Sequence, residues 1–138
     1  MLRRKLASEF LGTATLIATV VGSGAMATAL SDDIGIQLLI NTIATVFVLY
    51  IIITLLGPIS GAHFNPIVTG VELFTKKIKP KVFALYVVAQ LAGAAVGAMV
   101  ANLMFDYSAI YISQKERTGA NLFLGEVVAT AGLILIIL

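Results

Sequence analysis

Asn65, His63 and Ser60 lie close together in Ser60-Gly61-Ala62-His63-Phe64-Asn65-Pro66-Ile67-Val68-Thr69, a polar interruption of a chain that is otherwise apolar for membrane-length stretches. The amide of Asn65 can both donate to and accept from a passing hydroxyl or water, and Ser60 and His63 add further hydrogen-bonding groups. That is recognition chemistry for small neutral molecules. Catalysis fits poorly. His63 is the only histidine and cysteine is absent, which argues against a nucleophile–base set or a metal triad. A lone histidine without a second strong ligand is expected to pack the loop or rim a pore. Glu9 and Glu126 complete the set: each falls inside an apolar segment, where carboxyl groups are costly and normally partnered.

The elements that must position these groups follow from composition. The 138 residues are 59% hydrophobic and 12% charged, against roughly 25% charged in a soluble domain. This is an integral membrane protein, with length for three or four spans. The absence of cysteine excludes disulfides and thiol redox chemistry. Apolar segments cover about residues 6–30, 34–56, 80–105 and 122–138. Gly57-Pro58 is expected to end the second, and Pro80 suits the first turn of the third.

Between the second and third segments, Asn65-Pro66 reads as a helix start. The helical run it opens, about residues 65–75, is far too short to cross a bilayer. Irregular backbone at membrane depth survives only where protein buries it or where it lines a water-filled cavity. A half-helix ending there presents unpaired N–H groups and a positive dipole end. The expected fold is therefore an all-α membrane protein with three full transmembrane helices, a re-entrant half-helix and a fourth helix. That fourth segment stops at Leu138 with no flanking charge or aromatic anchor, unlike an ordinary span, so the expectation is a chain truncated inside it.

Charge placement predicts orientation. Arg3, Arg4, Lys5, Lys76, Lys77, Lys79 and Lys81 fall on one side of the spans, and only Lys115 and Arg117 on the other. The positive-inside rule then places the N-terminus in the cytoplasm and has the half-helix loop dip in from that side. The expected location is the cell (inner) membrane. Glu9-x-x-x-Thr13 in the first segment is echoed by Glu126-x-x-x-Thr130 in the fourth. Those segments would run in opposite directions, as in inverted repeats that meet around broken helices.

The segment from Ser60 to Thr69 resembles the first signature loop of the aquaporin (major intrinsic protein) family, SG-x-HFNPA-VT. Ser8-Glu9-Phe10-Leu11-Gly12-Thr13 and Gln90-x-x-Gly93-Ala94-x-x-Gly97-Ala98 are similar to that family's first and third helices. The likeness covers the whole chain but half of the family's length. Ile67 replaces the usual alanine, and the second signature loop with its filter arginine is absent. The resemblance implies a passive channel for water and small neutral solutes, of the glycerol-like or metalloid-hydroxide kind found in bacterial aquaglyceroporin-like members. It also implies a homotetramer in the full-length form, with no catalysis, no cofactor, no metal and no nucleic-acid partner.

In that frame Asn65 and Pro66 form the midplane half-helix start, with Ile67 beside them. Gly61, Ala62, His63 and Phe64 supply a row of backbone carbonyls that replace a solute's hydration. Glu9 satisfies loop N–H groups, Gln90 braces the loop from the third helix, and Glu126 serves the missing loop equivalently. Gln37, Asn41 and Thr45 share one face of the second helix, which is expected to look into the pore. Thr45 matches the family's second-helix filter position, where water-selective members carry a bulky aromatic, and a threonine there leaves a wider, more polar constriction. The rival reading is a non-conducting membrane-embedded fragment with a structural role only, since half a pore has no closed wall.

Overall fold

The computed structural model describes residues 1–111 and 118–137. Lys115 and Arg117, the outer arm of the charge asymmetry, lie outside the described residues, as does Leu138. The chain forms α1 (Leu2–Leu30), α2 (Ile34–Ser60), α3 (Pro66–Phe74), α4 (Pro80–Met104) and α5 (Ala120–Ile137). Helices α1, α2, α4 and α5 are long and apolar enough to cross a membrane. Helix α3 has nine residues, which at ~1.5 Å per residue reach less than halfway across a hydrocarbon core of ~30 Å.

Two helix limits differ from the apolar pattern. Arg3, Arg4 and Lys5 belong to α1, because leucine, arginine and lysine are good helix formers and nothing among them breaks the turn. Helix α2 does not stop at Gly57-Pro58 but runs on to Ser60, with Pro58 inside it. Proline there removes one backbone bond near the helix end, a loss a membrane helix tolerates when neighbours re-satisfy the freed groups. The actual stop is Gly61, whose left-handed backbone (φ 96°) lets its N–H reach the Gly57 carbonyl at 2.9 Å. Glycine is the residue that adopts that conformation without a steric penalty.

Helix α1 is the centre of the fold, packed against α4 and α2, while α3 rests on α4. Backbone closeness sets the α1–α4 seam: a Cβ on Gly93 would strike the Phe10 carbonyl, and one on Gly97 the Ala14 carbonyl. Both pairs advance together, so the two helices run parallel, one contact per turn. Small residues at this spacing are how membrane helices approach without a hydrophobic driving force. The buried set is as polar as it is apolar: the largest fully buried side chains are Tyr86, Gln90, Glu9 and Thr69. Apolar side chains such as Leu38, Phe47 and Leu135 face outward, as expected where the solvent is lipid. None of the described residues of α5 is buried.

Candidate functional site

Asn65 sits just ahead of α3 with extended backbone (φ −148°, ψ 128°), and its side-chain oxygen accepts from the Ile67 N–H at 2.7 Å. Pro66, next in line, has no N–H to leave unpaired. The Asn65 carbonyl accepts from the Thr69 N–H and hydroxyl, both at 3.0 Å. Both oxygens of Asn65 are therefore engaged by the first turn of α3. Its amide NH₂ group meets no acceptor among the described residues and is held in orientation by the cap.

Residues 61–64 form the turn between α2 and α3. The N–H of Ala62 donates to Ser60 Oγ (3.1 Å), that of His63 to Glu9 Oε1 (3.1 Å) and that of Phe64 to Glu9 Oε2 (2.8 Å). All peptide bonds described are trans, so each carbonyl points opposite to the N–H in its plane. Three N–H groups turned toward the scaffold thus turn the carbonyls of Gly61, Ala62 and His63 the other way. Among the described residues no donor meets these three carbonyls. The geometry has a cost, because Ala62 (φ 54°) and Phe64 (φ 48°) both adopt left-handed backbone. Such positions cost of order 1–3 kcal/mol each and persist only when the surroundings over-determine them.

The surroundings do so. Glu9 is fully buried, and besides the two N–H groups it accepts from Gln90 Nε2 at 2.8 Å. The same Gln90 nitrogen donates to Thr69 Oγ1 at 2.9 Å, so one side chain of α4 ties α1 to α3. Thr69 Oγ1 also lies 3.1 Å from His63 Nδ1, and Tyr86 meets the His63 ring edge-on with centroids 5.3 Å apart. The Tyr86 hydroxyl donates to the Ser60 carbonyl at 2.9 Å, and Ser8 donates to Ser60 Oγ at 3.1 Å. Phe64 turns its ring inward onto α1, where a Cβ on Gly12 would fall inside the ring's own volume. Every element around the loop holds it by at least one of these contacts.

The chain matches the Major intrinsic protein family over residues 1–138. It belongs to that family. It is 47% identical over 99% of its length to Aquaglyceroporin AqpS of Rhizobium meliloti (strain 1021), and 31% identical over 97% to Aquaporin NIP3-1 of Arabidopsis thaliana. A Glycerol uptake facilitator protein-like 6 of Lactiplantibacillus plantarum is 36% identical over 67% of the chain. The chain spans about half the length of these curated relatives: 59%, 44% and 40% respectively. As a major intrinsic protein it is an integral membrane protein of a channel family and not an enzyme.

Not every residue singled out in the sequence joins the loop. The face of α2 carrying Gln37, Asn41 and Thr45 does not form one open polar wall. Gln37 Nε2 donates to the Ser31 carbonyl (2.7 Å), and Asn41 Nδ2 to the Val20 carbonyl (2.8 Å) and Ser23 Oγ (3.1 Å). These two amides fasten α2 to α1, because shared spacing fixes a face but not which neighbour it meets. Thr45 is half-buried and donates its hydroxyl proton to the Asn41 carbonyl at 2.8 Å. Its oxygen is left as an acceptor. Glu126 is exposed and, with exposed Ile67, lines an open cavity of about 610 Å³ between α3 and α5. The remaining wall is apolar apart from Thr130. Among the described residues no group of histidines and carboxylates could hold a metal ion.

Sequence reasoning did not assign Tyr86, Ser8 or Gly12 to the site. The signal for Tyr86 was present: it stands one helical turn before Gln90, on the same face. Gly12 offered none, since a ring seat is a property of two residues distant in sequence. Thr13 Oγ1 and Gln90 Oε1 are buried without a partner, and nothing described accounts for them.

Proposed function

We propose that this chain forms one half of a passive channel for water and small neutral solutes, acting with a segment equivalent to the unmatched remainder of its relatives. One observation carries this reading: the three consecutive carbonyls of Gly61, Ala62 and His63, turned away from the scaffold and meeting no donor among the described residues. A row of acceptors takes successive hydrogen bonds from a hydroxylated solute as it sheds water. At its end the free amide of Asn65 donates back to the solute oxygen. Ions are refused, because a few neutral acceptors do not repay their hydration and the N-terminus of α3 opposes cations. No proton or electron changes hands, and the solute gradient alone drives flux.

Selectivity for solutes larger than water is assigned to Thr45, whose side chain offers a methyl group and an acceptor oxygen in place of a ring. The names of the relatives, an aquaglyceroporin and a glycerol uptake facilitator-like protein among them, agree with glycerol-sized permeants; uncharged metalloid hydroxides are of similar size and hydrogen-bonding character. The N-terminus lies in the cytoplasm in this reading, with four subunits assembling and each holding its own pore. A second reading, a membrane-embedded piece that does not conduct alone, is favoured for the 138 residues in isolation by the unburied α5 and the open cavity beside Ile67. Stopped-flow light scattering on vesicles carrying the full-length protein tests the proposal. Rapid reswelling in a glycerol gradient with ion conductance at lipid background is expected. A protein that passes ions, or no glycerol, overturns it.

A further inference from the structure

The start of α1 and the end of α2 enclose a cleft of about 240 Å³ lined by Met1, Arg4, Lys5, Pro58 and Ile59. Its chemistry is divided. Arg4 and Lys5 line it with positive charge, and Pro58 and Ile59 with apolar surface. Among the described residues the one ion pair is Lys77 with Glu72, and no hydrogen bond engages the side chain of Arg4 or Lys5. A positive charge placed only to orient the helices needs no cavity, since any juxtamembrane position serves.

The depth of the cleft identifies what fills it. Both helices that form it are long and apolar enough to cross a membrane, and their mostly apolar stretches begin within a turn of it, α1 from Leu6 and α2 back from Leu56. The cleft therefore sits where the hydrocarbon core gives way to the headgroups, whichever side of the membrane that is. A ligand there must present an anion to Arg4 and Lys5 and apolar surface to Pro58 and Ile59. Arginine binds phosphate oxygens in a planar fork and lysine adds a point charge. A phosphodiester with its acyl-glycerol attached satisfies both halves of the cleft at once, and Lys or Arg clusters at span ends attract anionic lipid. We propose that this cleft is a headgroup site for an anionic phospholipid, with Arg4 and Lys5 on the phosphate and Pro58 and Ile59 beneath the glycerol esters.

Lipid retention measured by native mass spectrometry on the chain in neutral detergent tests this, with phosphatidylglycerol and phosphatidylcholine as probes. Phosphatidylglycerol is expected to be held more tightly, by roughly fivefold for each of the two basic residues, the size expected of a lysine or arginine at an anionic surface. Arg4→Gln with Lys5→Gln should abolish the preference. Lys79→Gln with Lys81→Gln removes the same charge from exposed positions outside the cleft and should leave it intact. Equal loss in both pairs means diffuse attraction and overturns the site. Competition by inorganic phosphate or glycerol 3-phosphate as effective as the lipid itself means a soluble-phosphate site and overturns the lipid assignment. All four positions are solvent-facing, and unchanged thermal midpoints confirm that the variants fold.

Discussion

Phe64 seats its ring against the bare Cα of Gly12, and the fit is tight enough that no Cβ can stand between them. That contact lets a strained loop residue, buried to 5% exposure, point its side chain into the helix pair while its neighbours' carbonyls point out. Gly12→Ala is therefore expected to destabilise the fold by about 1–3 kcal/mol, the usual cost of overpacking. Phe64→Leu in the same chain should recover part of that loss, because the smaller side chain yields room. Unfolding midpoints in detergent for the two single variants and the double variant give the coupling. Strictly additive losses would show that the ring and the glycine do not share the space.

Glu9 is the keystone acceptor for His63, Phe64 and Gln90. Glu9→Ala leaves the N–H groups of His63 and Phe64 without a partner and Gln90 Nε2 with Thr69 alone, each buried donor so orphaned costing about 1–3 kcal/mol. Glu9→Gln keeps one acceptor oxygen and should be milder. The expected order of stability is wild type, Gln, then Ala, read as thermal midpoints or resistance to proteolysis. An alanine variant within about 0.5 kcal/mol of wild type, the range of an ordinary surface change, would refute the scaffold role.

Much of this was legible in the sequence, for definite reasons. A carboxyl group inside an apolar span must find donors, and a broken loop has N–H groups to offer, so Glu9 could be paired with the loop before any coordinates. Asn65-Pro66 announced α3 because the two residues cap and start a helix by local geometry alone. What escaped depended on neighbours. The periodicity of Gln37, Asn41 and Thr45 was visible, but the partners of the first two, Ser31 for Gln37 and Val20 and Ser23 for Asn41, belong to the neighbouring turn and helix. Gly57-Pro58 looked like a stop because proline breaks helices, whereas one lost bond near the end of α2 is small beside the capping supplied by Gly61.

Orientation has its own test. With no native cysteine, single cysteines at Lys79 and Ser108, both exposed, report on the two faces of the membrane. The charge asymmetry predicts that an impermeant maleimide added to intact cells labels position 108 and spares position 79 until the cells are opened. Labelling of 79 alone would invert the proposed topology and place the mouth of the α3 loop outside.

The assignment of selectivity to Thr45, proposed above, is tested in the full-length protein. Its hydroxyl proton is engaged by the Asn41 carbonyl at 2.8 Å, so in the proposed pore its oxygen would meet a solute only as an acceptor. Hydroxylated solutes always carry a donor for it. Thr45→Val keeps the shape and removes that acceptor. Glycerol flux should fall roughly threefold to tenfold, as for the loss of one hydrogen bond of about 0.5–1.5 kcal/mol, with water flux less affected. Thr45→Phe narrows the wall by a ring and should lower glycerol flux by more than about tenfold, a barrier increase of ~1.4 kcal/mol, while water still passes. Stopped-flow measurements of both fluxes on the same vesicles separate the two effects. If Phe reduces water and glycerol equally, or if Val changes neither, the selectivity resides elsewhere in the channel and the reading of Thr45 fails.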